Sequence, residues 1–455
     1  MPRRKSSDTS ERKVARTRSL GGCNVCRKRK VKCGEERPEC QRCMDIGYHC
    51  EYNLVLKWQE EFARRGVAFG RSGYYVHRLC PLTTPNQSTN SPFATIVLPF
   101  ALSTSKDTFH SLLALSACHK SKTDQSWEPV ALQLKAGMLQ FLRQRLSNEN
   151  PVEVSRDPEV LTITMIMCLY EIISKCDEKW VVYLRGARDL IRIRKQLPSS
   201  ASEQSPWEPL FLFAERFFAY QDVLGRTACG GVPNFKSCTW NSNAHEIDIS
   251  MGCSPELFQI LGSITDLIKS SRRDPRLASG RTFIAEAARL EFQLENLVQT
   301  VYQDDDCAIL HSAELKKQTA ILYLHCTLYN ASPTTPLVNK QVREVLQGVS
   351  SCLDDGLAAS LTWPVFVAGV ELDPLDDTFM LKDRPVSGRA FILSTLANMS
   401  ASTVANVQRI RSAIIDVWRR RDLFQLEKGP INITQEHRSD WEIYVEPASM
   451  NLSLG

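Results

Sequence analysis

Residues 23–50 read "CNVCRKRKVKCGEERPECQRCMDIGYHC", six cysteines in twenty-eight positions. Cys23, Cys26, Cys33, Cys40, Cys43 and Cys50 follow C-x2-C-x6-C-x6-C-x2-C-x6-C, the unit C-x2-C-x6-C written twice. Two thiolates separated by two residues reach one metal ion, and a third about two helical turns on swings back to it. Zinc takes four tetrahedral ligands and accepts thiolate sulfur readily. Three thiolates per unit leave each zinc one ligand short. Two zinc ions sharing two sulfurs resolve this, because six thiolates then supply eight coordination bonds. A redox C-x2-C needs one reactive pair in a strand-to-helix setting. Metal storage needs no large attached body, and a one-zinc ribbon leaves two thiols over. The binuclear cluster uses all six.

The two six-residue spacers differ. "RKRKVK" (27–32) carries five positive charges, whereas "MDIGYH" (44–49) carries one negative charge and a glycine. If each spacer forms a short metal-tethered helix, only the first suits DNA phosphates. The metal then replaces a hydrophobic core that so short a segment cannot build. A short helix in the major groove lets Lys or Arg donate to guanine O6 and N7, while neighbouring cations neutralise phosphates and make binding salt-dependent.

The rest of the sequence fits a basic head on a larger body. Of 455 residues 43% are hydrophobic, ample for more than one domain. No apolar run approaches the roughly 18 residues that span a bilayer, and "MPRRKSSDTSERKVARTRSL" (1–20) holds no secretory segment. The expectation is an intracellular, soluble chain with reduced thiols and no membrane partner. Net charge is +5, yet residues 1–50 hold 14 Lys or Arg against 6 Asp or Glu, a balance of +8 that leaves the remainder at −3. Such asymmetry points the head at a polyanion. Residues 1–20 read as a disordered basic arm serving nuclear import or phosphate contact.

The head resembles the fungal binuclear zinc-cluster DNA-binding domain, with its C-x2-C-R-x-R-K-x-K-C opening and a proline two residues before the fourth cysteine, here Pro38. The resemblance implies two Zn2+ ions bridged by Cys23 and Cys40, one completed by Cys26 and Cys33, the other by Cys43 and Cys50. It also places base reading of CGG-like triplets at Arg29 and Lys30. Arg27, Lys28 and Lys32 are then assigned to phosphate or to packing around the cluster. Gly34 departs from the family, which often has Asp there.

After the sixth cysteine, Leu54, Trp58 and Phe62 recur every four residues until Gly66 and Gly70 interrupt them. That is too short for a coiled coil and reads as a short amphipathic helix docking on the body. Single-site binding is the expectation, and a homodimer through another surface stays open. The expected division is an arm at 1–20, the zinc cluster at 21–52, a linker with a short helix at 53–92, and an all-α body at 93–455. Helices are expected over 93–103, 107–119, 129–147, 207–223, 282–303, 312–330, 337–353 and 387–398. Three more are read from local signals. "DPEVLTITMIMCLYEII" starts with Asp157 as N-cap and Pro158 at the first helical position. "KWVVYLRGARDLIRIRK" aligns Trp180, Leu184, Ala187 and Ile191. Residues 403–421 align Val407, Ile410, Ile414 and Val417, with Arg419, Arg420 and Arg421 closing the C-terminus. Breaks are expected at 197–206 and 371–388, and no run of alternating strands is found.

The body is similar to the fungal-specific transcription factor domain of acriflavine-sensitivity-type regulators. The segments that carry this are "LKWQEEFARRGVAFGRSG", "PFATIVLPFALSTSKDTFHSLLALSACH", "WVVYLRGARDLI", "WPVFVAGVE" and "HRSDWEIYVEP". The insertion-like "LDPLDDTFMLKDRPV" departs from it. The resemblance implies a regulatory body that senses a small molecule or masks an activation surface. The ten other cysteines, Cys118, Cys168 and Cys326 among them, read as buried small hydrophobes; Cys118 and His119 point about 100° apart on a helix and make no catalytic pair. "YQDDDC" and "ELDPLDDTFML" read as exposed loops, with activation segments the alternative. The resulting expectation is a nuclear, sequence-specific DNA-binding activator that engages the transcription machinery. A repressor, a zinc-organised protein scaffold, or an enzyme with an accessory zinc module are the rivals. The body shows no phosphate loop, dinucleotide fingerprint or H-E-x-x-H.

Overall fold

The computed structural model divides into two compact units, Met1–Phe69 and Gly70–Gly455. It describes residues 23, 25–26, 29–34, 36, 39–48 and 50 of the first. Of the second it describes 73–88, 90–148, 150–197, 206–230, 235, 244–273, 280–301, 307–426 and 439–455. The basic arm, the 54–62 helix, the 198–205 part of the first expected break and most of "YQDDDC" lie outside the described residues.

In the first unit the buried core consists of the six cysteines, with Val25 and Val31 packed against them. Its described residues include a short helix, α1 (Gln41–Met44).

The second unit is helical. Its elements are α2 (Leu98–Ser103), α3 (Lys106–Ser121), α4 (Glu128–Asn148), α5 (Pro151–Arg156), α6 (Pro158–Ser174), α7 (Glu178–Gln196) and α8 (Glu208–Cys229). There follow α9 (Pro255–Arg273), α10 (Arg281–Glu295), α11 (Cys307–Thr327), α12 (Pro336–Asp354), α13 (Thr362–Val370), α14 (Gly388–Met399) and α15 (Val407–Leu426). Two of these are apolar on every side and therefore central. All of α13 is buried, and so is α6 from Val160 to Ile173. Around α6 pack α3, α4, α7 and α8; around α13 pack α11, α12, α14 and α15.

Local signals act as expected at several ends. The Asp157 carboxylate accepts the Glu159 N–H at 2.8 Å and Pro158 opens α6. Trp180, Leu184, Ala187 and Ile191 form the buried stripe of α7. Val407, Ile410, Ile414 and Val417 are the buried face of α15.

The structure departs from the sequence expectation in four places. Residues 73–92, assigned above to a linker, belong to the second unit: a π-helical turn over Tyr75–Leu79 and a short turn over Pro81–Thr83 bury Tyr75, Leu79 and Leu82. Helices α5, α9 and α13 were not expected. Inside the 371–388 break lies an antiparallel hairpin, β1 (Thr378–Leu381) against β2 (Arg384–Ser387). Lys382 and Asp383 turn it with φ +47° and +62°, the two left-handed residues of a tight hairpin. Its acidic flank is tied down rather than loose: Asp373 accepts from Asn339 at 3.0 Å, and Asp376 pairs with Arg343 at 3.1 Å. Finally, Arg421 does not cap α15. It is 5% exposed and donates to the Val370 carbonyl and to Asp440, with Glu371 at 3.5 Å.

The chain's last residues complete this core. Leu452, Ser453 and Leu454 are buried; the Ser453 hydroxyl and the Gln221 side-chain oxygen are 2.7 Å apart, and the Leu454 carbonyl accepts from Thr362 at 2.7 Å. Trp441 is buried against Tyr323, ring centroids 5.2 Å apart. No helix among the described residues is long and apolar enough to cross a membrane.

Candidate metal centre and nucleic-acid interface

The Sγ atoms of Cys23, Cys26, Cys40 and Cys43 all lie within 4.8 Å of one another. Cys23 is 3.5 Å from Cys43, and Cys26 is 3.7 Å from Cys40. The remaining two cysteines are held against them by backbone. The Cys23 N–H donates to the Cys33 sulfur at 3.3 Å, and the Cys40 N–H donates to the Cys50 sulfur at the same 3.3 Å. All six thiols are buried and free of disulfides. Six buried sulfurs with no carboxylate in their core make a soft donor set that suits zinc. When bound there, zinc supplies the covalent-strength tether that a core of two valines cannot.

The electrostatics single out two sulfurs. Burial works against ionisation throughout the cluster. At Cys23 and Cys40 it is outweighed by N–H donation from Cys26 and Cys43 and by neighbouring thiols, and both are lowered from the ordinary thiol value. Cys26 is pushed up to about 12 by burial and by its hydrogen bonds to Cys23 and Cys40; burial likewise raises Cys43 and Cys50.

The duplicated spacing is a duplicated structure, offset by seventeen residues. In the first half the Val31 N–H donates to the Cys26 carbonyl at 3.1 Å, and Lys30 sits at φ +55°. In the second the Tyr48 N–H donates to the Cys43 carbonyl at 3.1 Å, and Gly47 sits at φ +66°. Each half therefore closes a helical turn with one left-handed residue and a 6→1 bond. A metal-tethered helix in the first spacer is therefore short among the described residues. The Arg29 N–H still makes a helical bond to Val25, 3.0 Å, but the turn ends at Lys30 and Val31 to Gly34 run on without helix.

Arg29, Lys30 and Lys32 are exposed, and Arg27 and Lys28 lie outside the described residues. Arg29 rests over the ring of Tyr48, its guanidinium 5.6 Å from the centroid, so the second spacer supports the first. Arg42 donates to the Lys32 carbonyl at 2.9 Å and ties the other flank. Gly34 leaves the space that the Glu36 carboxylate fills: a Cβ there would lie 2.3 Å from Glu36 Oε1. Glu36 in turn accepts the Gln41 N–H at the start of α1, 3.2 Å. Tyr48, Arg42 and Glu36 support the head without carrying a ligand or base-reading signal of their own in the sequence. The seventeen-residue offset was the available signal, since it aligns Lys30 with Gly47 and Val31 with Tyr48.

In the body, Cys118 and His119 make no pair. The Cys118 thiol is pushed up to about 12 by burial and donates to the Tyr170 carbonyl at 3.8 Å, while His119 Nδ1 meets the Tyr74 hydroxyl at 2.9 Å. Cys80, Cys168, Cys176, Cys253, Cys326 and Cys352 are buried thiols as well.

Comparison with known proteins agrees with this geometry. The profile of the fungal Zn(2)-Cys(6) binuclear cluster domain matches residues 21–59, and that of the fungal specific transcription factor domain matches residues 72–455. The chain is 34% identical over 84 residues to arginine metabolism regulation protein II of Saccharomyces cerevisiae, 18% of this chain and 9% of that protein. It is 45% identical over 62 residues to the heme-responsive zinc finger transcription factor HAP1 of Saccharomyces cerevisiae, 13% of this chain and 4% of that protein. The chain thus spans under a tenth of the length of these relatives. No solved structure matches it. A zinc-cluster head followed by a matched body over residues 72–455 places the chain in the family of fungal zinc-cluster transcription factors carrying the fungal specific transcription factor domain.

Proposed function

We propose that the chain is a nuclear, sequence-specific DNA-binding regulator of transcription, an activator acting with RNA polymerase II. The cysteine cluster presents Arg29 and Lys30 to a CGG-like triplet, Lys32 and its neighbours Arg27 and Lys28 neutralise phosphates, and the helical body governs when the head acts. The observation that carries this reading is Lys30: an exposed cation held in a left-handed conformation, where the matching position of the second half has glycine. A lysine there costs backbone energy that glycine avoids, so its side chain has work to do outside the fold.

The experiment is Lys30→Ala in the full chain, with binding measured at stated salt to duplexes with and without a CGG triplet. Specific affinity should fall by about 1–3 kcal/mol, nonspecific affinity little, and bound zinc not at all. Equal affinity of both proteins for every duplex points instead to a protein scaffold, a reading favoured by the exposed Met44, Ile46 and Tyr48 on the second half.

A further inference from the structure

The helical body holds a part-open cavity of about 380 Å³ among α8, α11 and the segment from Leu82 to Ile96. Small-molecule sites of this kind are concave, mostly apolar and carry a few placed polar groups. Phe213, Phe217 and Tyr220 face it from one side of α8, at spacings of four and three residues. Phe93 meets Phe213 edge-on, ring centroids 5.2 Å apart.

Into this apolar wall the fold places an ammonium group. Lys316 of α11 lines the cavity and is 4% exposed. Its Nζ donates to the Met251 carbonyl, and among the described residues no carboxylate pairs with it. Burial acts on it most strongly and holds it below the ordinary lysine value; the thiols of Cys253 and Cys352, each pushed up to about 11 by burial and so uncharged at neutral pH, supply no counter-charge. Asp248, the carboxylate on the cavity wall, is committed elsewhere. It faces Arg216 at 3.6 Å and accepts the N–H groups of Ser250 and Met251 at 2.8 and 3.2 Å. The approach of Lys316 to Met251 is built in: Gly252 has φ +62°, and a Cβ there would lie 2.5 Å from Pro85 and 3.0 Å from Lys316 Nζ.

A buried amine without a counter-charge holds its proton poorly, and an acidic ligand brings both the proton and the counter-charge. We propose that this cavity is a binding site for a small aromatic monoanion, its ring against Phe93, Phe213 and Phe217 and its acidic group on Lys316. A neutral ligand brings that amine neither proton nor counter-charge. The other cation lining the cavity, Arg216, faces Asp248 at 3.6 Å, so a polyanion meets an aromatic wall with one basic group uncommitted to a carboxylate. Binding itself is independent of the DNA-binding proposal; its consequence, control of the head by an effector, rests on that proposal.

The test titrates the full chain with 1-anilinonaphthalene-8-sulfonate, an aromatic monoanion, and with N-phenyl-1-naphthylamine, the same rings without the charge. Saturable binding of the sulfonate at one site per chain is expected. Lys316→Met should weaken it about 10- to 100-fold while leaving the neutral dye within about twofold. Leu212→Trp, which fills the cavity, should weaken both. The unaltered chain gives a second reading: 4-phenylbutyrate should displace the sulfonate dye and its neutral amide should not. Equal effects of Lys316→Met on the two dyes, equal displacement by acid and amide, or no saturable sulfonate binding would overturn the assignment. None of these outcomes bears on the Lys30 duplex experiment, so the two proposals fail separately.

Discussion

The sulfurs of Cys23 and Cys40 stand 3.8 Å apart although seventeen residues separate them. They occupy the same place in the two halves of the head, each receiving hydrogen bonds from its own C-x2-C partner. On the family pattern these two sulfurs would be the ones shared between two zinc ions. Cys23→Ser or Cys40→Ser should therefore take the zinc content of the purified chain from two ions to below one. Cys33→Ser or Cys50→Ser, each touching one site, should leave about one ion bound. Elemental analysis reads the difference.

Lys30 and Gly47 make a paired prediction. Lys30→Gly should relieve about 1 kcal/mol of left-handed strain, and so tighten zinc retention against a chelator about fivefold. The same change should reduce preference for the CGG duplex by about 1–3 kcal/mol. Gly47→Ala should do the reverse. Nothing lies within 4 Å of a Cβ at Gly47, so its cost is backbone strain of about 1 kcal/mol, with DNA preference intact.

His119 gives the body an acid sensitivity. Burial holds its imidazole down to about 4 from an ordinary 6.5, and the charges of Arg78 and Lys122 add to this against a hydrogen bond involving Thr403. A histidine lowered on folding contributes stability that is fully present above pH 6.5. As pH falls toward about 4 the unfolded chain takes up the proton first, and up to about 3 kcal/mol is lost. Below that, both states are protonated and the slope ends. Urea midpoints at pH 7 and pH 5 should differ less in His119→Gln than in the parent.

Arg421 joins α15 to the end of α13 and to the C-terminal segment. Burial pushes the Glu371 carboxyl up to about 8, against the pull of the Arg421 guanidinium. Arg421→Met should cost about 3–5 kcal/mol in urea unfolding at pH 9, where Glu371 is ionised beside Arg421, and less at pH 6, where its carboxyl is neutral and the loss is the Val370 and Asp440 partners. Adding Glu371→Gln should restore part of that loss, the mark of a coupled pair.

The head was legible because metal ligation fixes residue type and spacing together. Six cysteines at a repeated interval leave little freedom, and Asp157, Pro158 and the Trp180 stripe are equally local signals. What escaped was set by tertiary context. Helix α13 has no polar face to give it a period, since all of it is buried. Helix α9 is the exception, since its stripe of Leu257, Ile260, Leu261, Ile264 and Ile268 is a local signal that the sequence does hold. The hairpin at Lys382 and Asp383 lacks the glycine or asparagine that announces such turns. Arg421 looked like a terminal cation because its partners lie in segments far along the chain. Lys30 looked helical because its left-handed backbone is visible only against Gly47.

Native mass spectrometry of the full chain, before and after chelation, tests the central claim most directly when paired with duplex binding on the same samples. The account predicts a mass increment of two zinc ions per chain, lost on chelation together with preference for the CGG duplex and restored with zinc. A chain that carries no zinc, or that keeps its duplex preference after both ions are stripped, contradicts it.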